Sequence, residues 1–282
     1  MKTRLLFIQA FDLPDGSPYK HRSFEGGKES QLMNFDAVSH LLDDVDWALH
    51  SGPLAPYGDW PVESRGEFCQ VGAGRIPIVR EACESGDYDA IVLLGGGDPG
   101  FHEAREIARH YKIPVTACAH SQMHLATALG RRFSVIEMSE NMMMYYRDLI
   151  DVHGFADHCV SIRNLAFELP RPGRTHPVNL GEEKRRALQG DVSPMLEAAV
   201  EAAISAIEED GAEVLIFGCS CTYWMRSFLQ ERLTDAGWDV PVLEGYSSAI
   251  TLAKTLVALG HSASGLTYPS DRRGNVRRRI LL

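Results

Sequence analysis

"DAIVLLG" (residues 89–95) and "EVLIFGC" (residues 213–219) are two apolar runs that line up residue for residue. Farther along, in the same order, "IPVTACAHSQMHLA" (113–126) lines up with "VPVLEGYSSAITLA" (240–253). Pro114 matches Pro241, Val115 matches Val242, Ser121 matches Ser248, and Leu125-Ala126 match Leu252-Ala253. Two such matches in one order indicate a duplicated unit. Each unit alternates short runs rich in Val, Ile and Leu with amphipathic segments. That pattern makes parallel strands, buried on both faces and joined by helices. The class is α/β: two pseudo-symmetric lobes, each a mostly parallel sheet flanked by helices.

Strands are predicted at 4–8, 46–50, 90–94, 114–117, 133–136, 160–163, 214–217 and 241–243. The clearest helix is 194–208, alanine-rich, with Ser193-Pro194 as cap and first-turn pair. Another is predicted at 222–232. Residues 12–27, 51–74 and 165–190 read as loops from their Gly, Pro and Asp content. The lobes are predicted as 1–112 plus 239–282, and 113–238.

The 282-residue chain is 45% apolar and 23% charged, as in a soluble globular protein. A net charge of -10 argues against a nucleic-acid partner, despite the basic run Arg277-Arg278-Arg279. No apolar run is long enough to span a membrane, and the N-terminus lacks signal-peptide features. The expectation is a cytoplasmic protein with its six cysteines reduced.

Ligands of parallel sheets bind beyond the carboxyl ends of the strands. In this register Gly95 and Cys219 stand at equivalent strand ends, facing each other across an inter-lobe cleft. A thiol between a strand and a helix start gains from the helix N-terminus, which favours thiolate. Cys219 is therefore the candidate catalytic group. The N–H groups of Ser220, Cys221 and Thr222 can hold a carboxylate or enolate oxygen. Opposite, Gly95, Gly96, Gly97 and Asp98 form a turn that a ligand can approach closely; it lacks the GxxxxGK[ST] phosphate pattern. Cys118 and His120, at the next strand end, are candidates for a second acid or base. With His124 they also allow a zinc reading, but no fourth ligand is evident and no metal is expected. Gln9, Tyr246 and Ser247 end or follow further strands and are candidate lining residues.

"GGGDPGFHEARE" (95–106), "GRRFSVIE" (130–137), "EEDGAEVLIFGCSC" (208–221) and "VPVLEGYSSAITLAKTLVALG" (240–260) resemble the aspartate/glutamate/hydantoin racemase superfamily, most of all its hydantoin and allantoin branch. The resemblance implies a cofactor-independent, homo-oligomeric enzyme in which two cysteines face a carbon acid from opposite sides. Cys219 matches the second family cysteine. The first maps onto Gly95, and the family's early Asn-Pro-Asn turn maps onto Gln9-Ala10-Phe11. Glycine first and cysteine second is the pattern of arylmalonate decarboxylases, which protonate an enediolate from one face. Three readings follow: proton transfer at a small carbonyl, carboxylate or hydantoin-like substrate; a single-cysteine decarboxylase or cis–trans isomerase of a small dicarboxylate; or a non-catalytic metabolite binder.

Overall fold

The computed structural model describes residues 2–20 and 27–268; the basic run at 277–279 lies outside them. The first half runs β1 (Thr3–Ile8), α1 (Lys28–Gln31), α2 (Phe35–Leu42), β2 (Val45–His50), α3 (Arg65–Ser85), β3 (Ala90–Leu93), α4 (Phe101–Arg109), β4 (Val115–Ala117) and α5 (Cys118–Leu129). The second runs β5 (Phe133–Glu137), α6 (Glu140–His153), β6 (Cys159–Asn164), α7 (Leu180–Gln189), α8 (Pro194–Glu208), β7 (Val214–Phe217), a 3₁₀ turn (Ser220–Met225), α9 (Arg226–Asp235), β8 (Val242–Leu243) and α10 (Gly245–Leu259). The sheets are ordered β2-β1-β3-β4 and β6-β5-β7-β8. All pairings in both are parallel, so the second sheet repeats the topology of the first.

Every predicted strand is present, with no end shifted by more than one residue. The lobe boundaries differ from the sequence reading. β4 pairs with β3 in the first sheet, although residues 113–238 were assigned to the second lobe. β8 pairs with β7 in the second sheet, although 239–282 were assigned to the first. Helices, not strands, cross between lobes. α5 follows the first sheet but packs Met123 and Ala126 among Val135 and Ile216 of the second. Its Gln122 amide grips the end of β7, donating to Phe217 O at 3.0 Å and accepting from Phe217 N–H at 3.0 Å. α10 packs Ala249 and Ile250 in the cluster that holds Val92 and Leu94, and Thr116 of β4 donates to Ala249 O at 2.9 Å. Each fully buried Ile or Met contributes about 1.5–3 kcal/mol, so the exchange binds the lobes to each other.

Two predicted loops contain helices. α3 starts within 51–74, where Ser64 and Glu67 form a reciprocal capping box. Its glycines serve packing: a β-carbon on Gly72 would stand 2.8 Å from Gly100 N, so α3 and α4 touch backbone to backbone. α7 lies within 165–190, capped by Asn179.

The capping carboxylate Glu67 and its neighbour Glu63 also tie the lobes. Glu63 accepts from Arg171 at 3.0 Å and Arg174 at 2.9 Å, and Glu67 accepts from Arg171 at 2.6 Å and Trp60 at 2.9 Å. Burial alone would raise the Glu67 pKa, but bonds from Arg171, the Ser64 N–H and Trp60 outweigh it and hold the carboxyl at about 2. The stabilisation is therefore complete above the ordinary carboxylate range and lost as pH falls through about 2. A melting-temperature profile between pH 6 and pH 2 is expected to drop less steeply below pH 4.5 in Glu67→Gln than in wild type. An identical acid limb in both proteins would remove Glu67 from the tether.

Candidate active site

The strand-end loops of β3 and β7 meet face to face. A β-carbon on Gly96 would collide with Gly218 O and come within 3.0 Å of the Cys219 Cα. Gly95 has φ +110°, and a β-carbon there would press on Ala10 Cβ at 2.8 Å. A β-carbon on Gly97 would meet Phe68 and Tyr145; the Tyr145 hydroxyl, on α6, donates to Gly97 O at 2.8 Å. The glycine turn is thus seated against the second lobe at Gly96 and Gly97 and against Ala10 of its own lobe at Gly95.

A crevice of about 560 Å³ opens beside this contact, walled by Phe11, Leu32, Met33 and Phe35 from the first lobe and by Leu169, Cys221 and Trp224 from the second. Of the site residues read from sequence, Cys221 borders it. Cys219 lies beneath, 5% exposed, closed over by Gly96. The two thiols interact: a hydrogen bond to the Cys221 side chain, reinforced by burial, pushes the Cys219 pKa well above its ordinary value. The expectation of a resting thiolate is therefore corrected. The segment after Cys219 is a 3₁₀ turn rather than an α-helix, and the Thr222 N–H is spent on Cys219 O at 3.0 Å. Cys219 rests as a neutral thiol. Peptide-resolved iodoacetamide labelling at neutral pH is expected to modify exposed Cys69 and crevice-lining Cys221 before Cys219; labelling of Cys219 first would contradict this placement.

Neither predicted second acid or base reaches the crevice. Cys118 is fully buried, its thiol donates to Leu93 O at 3.6 Å, and burial pushes its pKa well up. His120 turns outward between α4 and α6: its Nε2 lies 3.0 Å from His124 Nε2 and its ring 4.6 Å from Phe101. It borders a separate cavity of about 470 Å³ with His102 and His153, and burial pushes its pKa down to about 2. Among the described residues no three His, Cys, Asp or Glu side chains are arranged to hold a metal ion. Asp98 does not border the crevice. It caps α5, accepting from the N–H groups of Ala119 at 2.9 Å and His120 at 2.7 Å, and touches His153 at 3.3 Å.

The Gln9 amide is engaged with Gln31 O at 3.0 Å. Tyr246 is buried edge-on against Tyr223, and the N–H groups of Tyr246 and Ser247 are held at 2.7 and 2.6 Å by Glu244, which caps α10. Ser220 opens the 3₁₀ turn, half-buried.

Sequence reading missed Arg75. It is fully buried on α3 and donates to the carbonyls of Gln9 (3.3 Å), Pro99 (3.0 Å), Ile8 (3.3 Å) and Leu94. One guanidinium thus satisfies the strand-end carbonyls of β1 and β3 and fixes both ends of the glycine turn. Burial lowers its pKa to about 10, so it stays charged at neutral pH.

Residues 62–253 match the family model described as Asp/Glu/Hydantoin racemase. The chain belongs to this family. It is 32% identical over 200 residues to a hydantoin racemase of Rhizobium meliloti, covering 71% of this chain and 73% of that one. Among solved structures it resembles an allantoin racemase from Klebsiella pneumoniae (TM-score 0.68, 22% identity, 99% and 97% of the two chains). It also resembles a liganded mutant of arylmalonate decarboxylase (TM-score 0.57, 12% identity, 90% and 92%). Membership in the racemase family makes the protein an isomerase, and the two-lobed α/β fold is that of the family. No helix among the described residues is long and apolar enough to cross a membrane.

Proposed function

We propose that this racemase-family protein exchanges a proton at the acidic carbon of a small hydantoin-like, carbonyl or carboxylate compound, with Cys219 as the group that carries the proton and without a cofactor. The observation that carries the reading is the position of Cys219. It lies two residues beyond β7, where the second lobe's strand-end loop meets the glycine turn of the first. Substrate reaches it when the two loops part along the adjoining crevice. The aromatic and aliphatic walls of that crevice suit a compound with an apolar substituent. Cys221, hydrogen-bonded to Cys219 and bordering the crevice, lies on the approach.

A second reading is favoured by Gly95. Its φ of +110° disfavours any side chain, and a β-carbon would press on Ala10. The face opposite Cys219 therefore carries no thiol. One-faced chemistry also fits decarboxylation of a malonate or cis–trans isomerisation of a small dicarboxylate. The test is a panel of 5-substituted hydantoins, amino acids, an arylmalonate and maleate, each followed by proton NMR in deuterated water. Deuterium at C5 of a hydantoin, absent with Cys219→Ala, supports proton exchange. Loss of carboxylate from the malonate or conversion of maleate without any C5 exchange supports the second reading. A panel left unchanged by the wild-type protein overturns both.

A further inference from the structure

A neutral thiol is a weak base, so Cys219 needs somewhere to put its own proton before it can take one from carbon. Behind it lies a carboxyl group with one oxygen uncommitted. Glu137 ends β5 in the position that Gln9 occupies after β1: Ile8 pairs with Leu93, and Ile136 with Phe217. Its side chain is fully buried. Oε1 accepts from the Met138 N–H at 2.7 Å, and the Ser139 N–H also favours the charged carboxyl, while Oε2 has no partner in good hydrogen-bond geometry. Oε2 fills the space that a side chain on Gly218 would take, one residue before Cys219, and the Tyr146 ring lies 3.3 Å from that same point. Glycine at 218 is what lets the carboxyl reach this strand end.

The other buried carboxyls among the described residues are committed. Glu244 caps α10 with both oxygens, Glu183 holds Ser193 and the Met195 N–H, and Glu63 and Glu67 are held by arginines. The titratable groups that face Glu137 are Cys219 and Cys221 from the loop after β7, and Tyr146 from α6. No cation is among them. An uncompensated buried carboxylate is costly, and burial raises this carboxyl to about 8.

We propose that Glu137 is the proton acceptor and reservoir of Cys219. This rests on Cys219 being the proton-exchanging group. In the forward direction the S–H bond of Cys219 breaks and an O–H bond forms on the Glu137 carboxylate, leaving a thiolate. The thiolate then takes the carbon-bound proton, and the electron pair of that C–H bond passes to the adjoining carbonyl as an enolate. Return of a proton from sulfur to carbon restores the thiolate, which recovers the proton stored on Glu137. While the enolate stands, the S–H proton taken from carbon exchanges with water, which is how deuterium comes to carbon, and no electron is gained or lost.

The experiment compares wild type, Glu137→Gln, Glu137→Asp and Cys219→Ala by deuterium exchange at C5 of 5-isopropylhydantoin between pH 6 and pH 9, with enzyme-free rates subtracted. Wild type is expected to speed up as pH passes through about 8, because the carboxylate is the competent form. Glu137→Gln should lose that limb and run at least about tenfold slower above it. Glu137→Asp should keep the limb, displaced along the pH axis. A change of packing alone would scale the rate without removing the limb. Should Glu137→Gln fail to fold, the aspartate variant decides: a limb at an unchanged pH overturns the proposal. An unaltered profile in a folded Glu137→Gln overturns it as well. If Cys219→Ala retains exchange, the underlying reading falls; if Cys219→Ala is inactive and Glu137→Gln is normal, only the reservoir does.

Discussion

Cys219→Ala is expected to lower turnover by about 10²–10⁴-fold, the usual contribution of a positioned acid or base. The substitution removes one sulfur from a loop residue whose backbone is held independently. Thr222 donates to Cys219 O from its N–H at 3.0 Å and from its hydroxyl at 2.6 Å, so the turn survives the loss of the thiol. Near-ultraviolet circular dichroism should match wild type. Cys221→Ala is expected to cost far less, because it removes the hydrogen-bond partner of Cys219 while leaving the sulfur at the strand end. The thiols are separable by this pair of variants. A Cys219→Ala protein with wild-type turnover, beside an inactive Cys221→Ala, would move the chemistry to the crevice-lining thiol.

Arg75→Met is expected to destabilise the protein by about 3 kcal/mol or more. Methionine fills much of the aliphatic path but donates no hydrogen bond. Four carbonyls, of Ile8, Gln9, Leu94 and Pro99, would then lose the donor they share, and of these Ile8 O keeps the Leu94 N–H at 2.8 Å. Each buried polar group left unsatisfied costs about 1–3 kcal/mol, and relaxation of the turn recovers part of that. The loss falls at the carboxyl ends of β1 and β3, so the glycine turn loosens with it. A lower urea midpoint together with reduced activity in the remaining folded protein is the expected pattern. A midpoint within about 0.5 kcal/mol of wild type would show that Arg75 is not needed to hold these strand ends.

The sheets were legible because their strands are short apolar runs bounded by turn residues, and because the duplication supplies each strand with a partner to check against. Cys219 at the end of β7 and Gly95 beyond β3 were legible for the same reason. What sequence obscured has physical causes. α3 carries Gly66, Gly72, Gly74 and Pro77, which composition reads as loop; the Ser64–Glu67 capping box was the available signal. α7 fully buries only Glu183 and sets Leu180 and Ala187 half-buried against the core, so its apolar face is too narrow to detect. With α3 unseen, Arg75 had no reason to be placed in the core. The exchange of α5 and α10 leaves no trace in either helix's own periodicity, since an apolar face fits one sheet as well as the other. That exchange explains the misplacement of Cys118 and His120. They begin the helix that leaves the first lobe, so their side chains go to Leu93 and to the His124 and Phe101 rings rather than to the crevice. Glu137 ends a family-like stretch, but nothing in "FSVIE" says that its carboxyl turns inward over a glycine.

One-faced proton exchange by Cys219 is tested most directly by incubating a single enantiomer of 5-isopropylhydantoin in deuterated water and following deuterium content and optical rotation together. With a thiol on one side and a bare glycine turn on the other, deuterium should enter with configuration retained at least about tenfold faster than rotation is lost. Incorporation and inversion advancing at the same rate would mean that both faces of the carbon are served equally, and would contradict a one-thiol site.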